Sequence, residues 1–151
     1  MLSEFDRQMI ELSFLEAKIS RDAGGLPIGS VLARGETILA AGHNQRVQKG
    51  DPIAHGEMDA LRKAGRQATY ADTTLYTSLS PCMMCSGTIV QFKIPRVVIN
   101  DTQNFGGNET FLLERGVEVI DAAHDASIMQ MAQFINDHPD LWNEDIAFPP
   151  R

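Results

Sequence analysis

Two short motifs contain the side chains of this chain that are best suited to metal chemistry. They are His55-Gly56-Glu57 and Pro81-Cys82-Met83-Met84-Cys85, and Cys82 and Cys85 are the only cysteines in the sequence. A spacing of three residues places both thiols on one side of a helical turn. A helix N-terminus lowers the pKa of a thiol, and zinc binds the thiolate form. The second motif therefore indicates a zinc site.

Two thiolates and one imidazole leave the fourth position of a tetrahedral zinc ion open, which is typical of catalytic rather than structural zinc. We therefore predict that His55, Cys82 and Cys85 bind one Zn²⁺ per chain. Glu57 follows His55 by two residues. It would lie beside the ion and act as a general acid and base for the zinc-activated water.

Other interpretations of each motif stay open when it is taken alone. A CxxC pair can be a redox site, but such pairs usually accompany a thioredoxin-like βαβ pattern, and here an HxE motif precedes the pair. A structural zinc site would need a fourth ligand, and the remaining histidines, His43, His124 and His138, fall outside any short ligand spacing. A catalytically dead zinc-binding module is a further alternative, against which the presence of Glu57 argues.

Helices and strands alternate along most of the chain. Apolar periodicity predicts helices over residues 4–22, 53–65, 82–92, 109–115 and 124–138, and strands over residues 28–33, 37–41, 73–77, 96–100 and 117–120. The first helix carries an apolar stripe made of Phe5, Met9, Leu12, Leu15 and Ile19. Such an order favours an α/β fold, in which helices cover both faces of a mixed, mostly parallel sheet.

Length and charge limit the classes of function. A chain of 151 residues suits one domain, which we place over residues 1–151. Thirteen basic and twenty acidic residues give a net charge of −7, which makes long nucleic acid an unlikely partner. We find no secretory signal over residues 1–10 and no apolar run long enough to span a membrane. A cytoplasmic location is therefore expected, where a close cysteine pair usually binds metal or takes part in catalysis.

Beyond these two motifs, the sequence resembles a known family along nearly its whole length. H-x-E followed by P-C-x-x-C is the signature of zinc-dependent nucleobase deaminases. The sequence is similar to the zinc-dependent cytidine and deoxycytidylate deaminase superfamily, and within it to the fungal-type cytosine deaminases. The segments that carry the resemblance include residues 25–29, 42–50, 55–57, 72–85, 94–96 and 142–146.

The resemblance implies a fold, a cofactor and an assembly. The implied fold is a cytidine deaminase-like, three-layer α/β/α sandwich around a mixed five-stranded sheet. Zinc would be held by the three ligands named above, and Glu57 would move protons. The resemblance further implies a homodimer.

The substrate-binding residues are likewise implied by the resemblance. Asn44 and the backbone N–H of Gly56 would hold the ring carbonyl and the ring edge, and Asp145 would accept from the exocyclic amine. Phe105 and Trp142 would form aromatic walls. Two segments depart from the family pattern, namely residues 104–108 with two glycines and the tail 147–151.

The function that follows is hydrolytic deamination of a free nucleobase, with cytosine converted to uracil and ammonia in pyrimidine salvage. The same zinc motifs would also serve a deaminase of guanine or of another nucleobase or heterocycle. A tRNA adenosine deaminase is a further alternative. The charge of −7 and the lack of a terminal helix rich in lysine and arginine argue against it.

Overall fold

A mixed five-stranded sheet forms the centre of the fold in the computed structural model, which describes residues 1–148. Its strands are β1 (Gly29–Arg34), β2 (Thr37–His43), β3 (Thr73–Thr77), β4 (Arg96–Ile99) and β5 (Glu118–Asp121), in the spatial order β2-β1-β3-β4-β5. Strand β1 pairs antiparallel with β2 and β3, whereas β3, β4 and β5 run parallel. The prediction of a mixed five-stranded sheet is confirmed. Four of the five strands run in one direction and β1 alone is reversed, so the expectation of a mixed, mostly parallel sheet is also confirmed.

Helices cover both faces of this sheet. They are α1 (Glu4–Asp22), α2 (Arg46–Lys49), α3 (Gly56–Ala64), α4 (Met83–Gln91), α5 (Glu109–Glu114), α6 (Asp125–Asp137) and α7 (Pro139–Asp145). Helix α1 packs on one face, and α6 lies beside it through hydrogen bonds between Glu11 and His124 and between Arg21 and Gln130. Helices α3, α4 and α5 pack on the other face. The predicted three-layer α/β/α arrangement is therefore confirmed.

Successive side chains of the central strands point to opposite faces of the sheet, so the hydrophobic core has one part on each face. Val31, Tyr76 and Val98 point towards α1, whereas their neighbours Leu32 and Leu75 point towards α3 and α4. Because both faces of the inner strands are covered, nearly every residue in them is buried. A third cluster, made of Leu26, Ile28, Leu79, Met131, Phe134 and Trp142, packs α6 and α7 beside the sheet.

The buried face of α1 differs from the predicted stripe. Leu15 and Ile19 are each 50% exposed, whereas Met9 and Ala17 are buried. The reason is that α1 approaches β1 closely at Gly29. A Cβ at Gly29 would lie only 2.2 Å from the Ser13 carbonyl oxygen. The helix therefore presents its small residues to β1, and two of the larger apolar side chains face outward.

The helix predicted over residues 53–65 starts three residues later, at Gly56. Residues 51–55 form a turn instead, because the Asp51 carboxylate accepts from the Ile53 N–H at 3.0 Å and the Asp51 carbonyl accepts from the Ala54 N–H at 3.2 Å. Helix α2 and helix α7 were not predicted. Pro139 ends α6 and also starts α7, because proline is tolerated at the first position of a helix.

Four segments that enter or leave the strands meet at one edge of the sheet. Gly29 at the start of β1 pairs with His43 at the end of β2, and Thr77 at the end of β3 pairs with Ile99 at the end of β4. The loops beyond these residues carry the metal motifs and the candidate substrate contacts. Within residues 1–148, no helix is both long enough and apolar enough to cross a membrane.

Candidate active site

The three predicted zinc ligands come together at this edge of the sheet. His55 is the N-cap of α3 and Cys82 is the N-cap of α4, so both lie where a helix begins. The Nδ1 atom of His55 and the Sγ atoms of Cys82 and Cys85 lie within 4.8 Å of one another. Cys82 Sγ is 3.5 Å from His55 Nδ1, close to the roughly 3.6 Å expected for a sulfur and a nitrogen bound tetrahedrally to one zinc ion. The arrangement therefore fits zinc.

The electrostatics of the two cysteines differ. A hydrogen bond from the Cys85 thiol, assisted by His55, lowers the pKa of Cys82 to about 4. The same bond raises the pKa of Cys85 well above its usual value, and burial adds to this effect. Burial alone would lower the pKa of His55, but Cys82 and the charges of Glu57 and Asp145 raise that pKa to about 9. The site already stabilises one thiolate, which is the form that binds zinc.

Glu57 lies in the first turn of α3 and is 3% exposed. Burial is the main cause that raises the pKa of this carboxyl group to about 7, and the nearby Cys82 charge acts in the same direction. A carboxyl group with a pKa near neutrality can both accept and return a proton under physiological conditions. Its placement beside the ligands therefore suits a proton carrier.

Asp145, the last residue of α7, lies close to the metal ligand His55. Its Oδ1 atom lies 3.5 Å from Asn44 Nδ2, 3.7 Å from His55 Nε2 and 4.0 Å from Arg46 Nε. The carboxylate is only 5% exposed, and this burial raises its pKa. Three donor groups thus surround a buried carboxylate that can accept from a ligand.

Asn44 is completely buried, and backbone bonds fix its position. Its N–H donates to the Ile28 carbonyl at 2.8 Å, and its own carbonyl accepts from the Ser20 hydroxyl at 2.6 Å. The side-chain Oδ1 accepts from the Arg46 backbone N–H at 2.9 Å. The side chain therefore presents its Nδ2 group, a hydrogen-bond donor, towards the site.

The metal site borders an enclosed cavity of about 20 Å³, room for about one water molecule. The cavity is lined by Ile28, His55, Glu57, Leu79, Ser80, Cys82, Phe105, Asp145 and Ile146. It is bordered by an open groove of about 550 Å³, which Met83, Gly106 and Ala147 help to line. The groove and the cavity share His55, Cys82, Phe105, Asp145 and Ile146, so the groove opens onto the metal site.

Of the predicted substrate contacts, Phe105 and Asp145 line this cavity, whereas Asn44, Gly56 and Trp142 do not. Trp142 is 7% exposed and lies behind Phe105, with the two rings edge to face at a centroid distance of 6.1 Å. Gly56 packs so tightly that a Cβ there would lie 3.1 Å from the Ile28 carbonyl oxygen. As the first residue of α3, Gly56 has an N–H without a partner inside the helix. The roles of Trp142 and Gly56 towards a substrate stay predictions.

The glycine-containing loop 104–108 is tied to the zinc-binding segment. Glu109 accepts from the Ser80 hydroxyl and, at 3.2 Å, from the Gly107 N–H. Asn108 donates to the Pro81 carbonyl at 3.0 Å. These bonds anchor the loop that carries Phe105 directly beside the first cysteine ligand.

Sequence reasoning missed several residues at the cavity. Ile28, Leu79, Ser80 and Ile146 line it without having been named as contacts. Their position in the sequence gave a signal, because Ser80 immediately precedes the cysteine motif and Ile146 follows Asp145. A larger surface groove of about 630 Å³ lies at the far ends of α3 and α4, and none of the metal ligands lines it.

Comparison with protein families agrees with this geometry. The chain matches the cytidine and deoxycytidylate deaminase zinc-binding region over residues 3–101. The chain belongs to this deaminase family. The matched range contains His55, Glu57 and both cysteines, and the prediction of a zinc cofactor is confirmed by the family and by the donor set. The role of each side chain in this deaminase stays a prediction.

Individual relatives of this deaminase span several substrates. The cytosine deaminase of Candida albicans is 46% identical over 145 residues, which cover 94% of this chain and 97% of that protein. A tRNA-specific adenosine deaminase of Buchnera aphidicola is 38% identical over 101 residues, covering 65% of this chain and 67% of that protein. The structure of a guanine deaminase from Nitrosomonas europaea aligns with a TM-score of 0.75 at 19% identity, covering 89% of this chain and 85% of that one. The last likeness confirms the fold.

Proposed function

We propose that the protein is a zinc-dependent hydrolase that deaminates free cytosine to uracil and ammonia. The observation that carries the proposal is the position of Asp145, a buried carboxylate that lines the same small cavity as the metal ligands His55 and Cys82 and lies 3.7 Å from His55 Nε2. The similarity to the Candida albicans cytosine deaminase covers 94% of this chain and supports the same substrate.

His55, Cys82 and Cys85 would hold the zinc ion, which when bound would lower the pKa of water and so supply a nucleophile at neutral pH. Glu57 is buried beside these residues. Its carboxylate can accept the proton of the attacking water and deliver it to the ring nitrogen. It can then take the second proton, from the hydroxyl added to the ring carbon, and pass it to the exocyclic amine, so that the carbon–nitrogen bond breaks, a ring carbonyl forms and ammonia leaves as a neutral molecule.

The chain's own residues hold the ring during these steps. Asp145 accepts from the exocyclic amine, and the Nδ2 group of Asn44 donates to the ring carbonyl. Phe105 covers one face of the ring, and the Gly56 N–H points at its edge. A few fixed polar groups in an otherwise apolar pocket are typical of sites for small planar ligands.

Two other substrates are the alternatives. Guanine or another heterocycle has a larger ring than cytosine and would need a wider pocket beside the same metal ligands. A base that remains attached to tRNA would bring a polyanion to the protein, and the net charge of −7 disfavours RNA.

The test is ammonia release from a panel of free bases and analogues. The panel contains cytosine, isocytosine, guanine, adenine, cytidine and creatinine. We expect cytosine to give the highest kcat/KM by at least one order of magnitude. Faster turnover of guanine, or tight salt-sensitive binding of tRNA, would replace cytosine with that substrate.

The remaining predictions concern the setting of the enzyme. We propose that residues 1–151 form a single zinc-dependent deaminase domain, that two copies associate as a homodimer, and that the enzyme is cytoplasmic. Size-exclusion chromatography with light scattering tests the dimer, since a mass near 16.6 kDa would identify a monomer.

A further inference from the structure

We propose that Arg46 is a positioning residue that holds the end of helix α7 in place and thereby fixes Asp145 at the cavity. The inference deepens the proposed function, on which it rests, by adding a residue that no motif contains. Arg46 does not line the enclosed cavity. It acts through the carboxylates at the end of α7.

The contacts of Arg46 join two distant parts of the chain. Its Nη1 atom makes an ion pair with Glu144, and its Nε atom lies 4.0 Å from Asp145 Oδ1. The Arg46 side chain is 16% exposed and that of Asp145 is 5% exposed, whereas that of Glu144 is 59% exposed. One shielded guanidinium thus faces two consecutive carboxylates, of which only the second borders the cavity.

Helix α7 needs such a cation at this end. Glu144 and Asp145 are its last two residues, and its last turn contains no basic residue. The C-terminal end of a helix carries a partial negative charge, so two carboxylates there are unfavourable by themselves. A guanidinium supplied by another element offsets this repulsion, and a planar guanidinium can contact two carboxylates at once.

The backbone at Arg46 is held by hydrogen bonds to the segments that carry Asn44 and His55. Its backbone N–H donates to Asn44 Oδ1 at 2.9 Å, and the preceding residue, Gln45, donates its N–H to the Ala54 carbonyl at 2.8 Å. Ala54 directly precedes the ligand His55. Arg46 therefore sets the distance between the Asn44 side of the pocket and the Asp145 side.

Within residues 1–148, the ion pairs of α7 with other elements involve only Arg46 and His55. A hydrogen bond from Asn44 Nδ2 to Asp145 Oδ1 at 3.5 Å adds to them. The apolar part of the attachment runs through Trp142 with Leu141 and Ile146, in the cluster that includes α6. Loss of Arg46 should therefore leave α7 packed at its Trp142 side and loosen the turn that carries Asp145.

The test compares Arg46→Gln with Lys49→Gln. Lys49 lies on the same short helix, is exposed, and has no ion-pair partner among the residues that the structure describes. For Arg46→Gln we expect KM for cytosine to rise at least about 10-fold, with a much smaller change in kcat and with zinc content unchanged. We expect Arg46→Lys to recover part of the loss, because an ammonium group can pair with one carboxylate. Lys49→Gln should match the wild type.

Hydrogen exchange supplies a measurement that needs no substrate. Amides of residues 142–148 should exchange at least about 10-fold faster in Arg46→Gln and at the wild-type rate in Lys49→Gln. If this acceleration is found but the wild type does not deaminate cytosine, the positioning role stands and the substrate assignment fails. If the wild type turns over cytosine while both KM and exchange stay unchanged in Arg46→Gln, the positioning role is wrong. Should Arg46→Gln fold poorly, Glu144→Gln takes its place, and unchanged exchange in that variant would overturn the inference.

Discussion

Replacement of Asp145 by alanine is the sharpest test of the substrate assignment. The carboxylate is 5% exposed and is positioned by Asn44, His55 and Arg46, so it can accept from an exocyclic amine without having to be reordered. A hydrogen bond to a charged acceptor contributes about 1.5–3 kcal/mol, which corresponds to about 10- to 200-fold in kcat/KM. We expect Asp145→Ala to lower kcat/KM for cytosine by this factor.

Asp145→Asn removes the negative charge of the side chain but keeps its shape, so it separates the effects of the two on kcat/KM. The amide keeps a carbonyl oxygen that can accept from the amine, and bonds to neutral acceptors have about half the strength of bonds to charged ones. The kcat/KM of Asp145→Asn should therefore fall between the values of the wild type and of Asp145→Ala. Uracil should bind the wild type weakly, because its carbonyl would face the same carboxylate.

The assay is steady-state deamination of cytosine together with metal analysis. Asp140→Ala is the matched control, because Asp140 is an exposed carboxylate in the first turn of the same helix. Zinc content should be equal in all variants, since Asp145 is not a ligand. If Asp145→Ala keeps the wild-type kcat/KM, the amine is recognised elsewhere, and the assignment reduces to a zinc-dependent aminohydrolase.

Deletion of residues 141–151 is a harsher version of the same test, and residues 149–151 lie outside the described part of the chain. All three metal ligands precede this segment, so zinc should remain while cytosine turnover is lost. The deletion also removes Trp142, which belongs to a buried cluster with Met131 and Phe134. The truncated chain should therefore also unfold at a lower temperature, and the point variant gives the cleaner result.

Three further outcomes follow from the described contacts. Cys82→Ala and Cys85→Ala should each lose zinc and activity together, and full metal content in both variants would contradict the ligand assignment. Glu57→Gln should retain zinc and lower kcat by about 100-fold or more, the scale of general acid–base catalysis, whereas a rate near that of the wild type would remove the proton-carrying role. Asp6 accepts hydrogen bonds from Arg96 at 2.9 and 3.0 Å, and this pairing holds the pKa of the Asp6 carboxyl well below its usual range. Asp6→Asn should therefore reduce the free energy of unfolding by about 1.5–3 kcal/mol at neutral pH, and the difference from wild type should shrink below about pH 4, where the unfolded carboxyl group is protonated. Urea unfolding at pH 7 and pH 3 measures this, and a difference independent of pH would contradict it.

Prediction from sequence succeeded where the signal is local. Strand β3 was placed at its observed bounds, because Thr73–Thr77 is rich in β-formers and is flanked by polar loops. The start of α3 was misplaced, because the Asp51 turn competes with helix formation. The outward position of Leu15 was missed as well, since it depends on how closely α1 approaches Gly29.

The same distinction applies to the site. Cys82 and Cys85 are neighbours on one helical turn, so their spacing alone indicates a metal. Asn44 and Asp145 are 101 residues apart in the chain and meet only in the folded structure. They were named through resemblance to a family, because neither residue stands in a local chemical pattern. Arg46 lies in segment 42–50, which carries the resemblance, but its role emerges only from its contacts with α7.

The metal ligands and Asp145 are encoded in separate stretches of the chain. His55, Glu57 and both cysteines all precede residue 86, whereas Asp145 is the last residue of the α6–α7 pair, residues 125–145. Phe134 of α6 and Trp142 of α7 belong to one buried cluster. The two helices therefore form a structural cassette, by which we mean a packed unit rather than a loose tail. We expect that transplanting the cassette from a deaminase of different substrate choice would redirect the enzyme to another ring, while the metal-binding scaffold stays as it is.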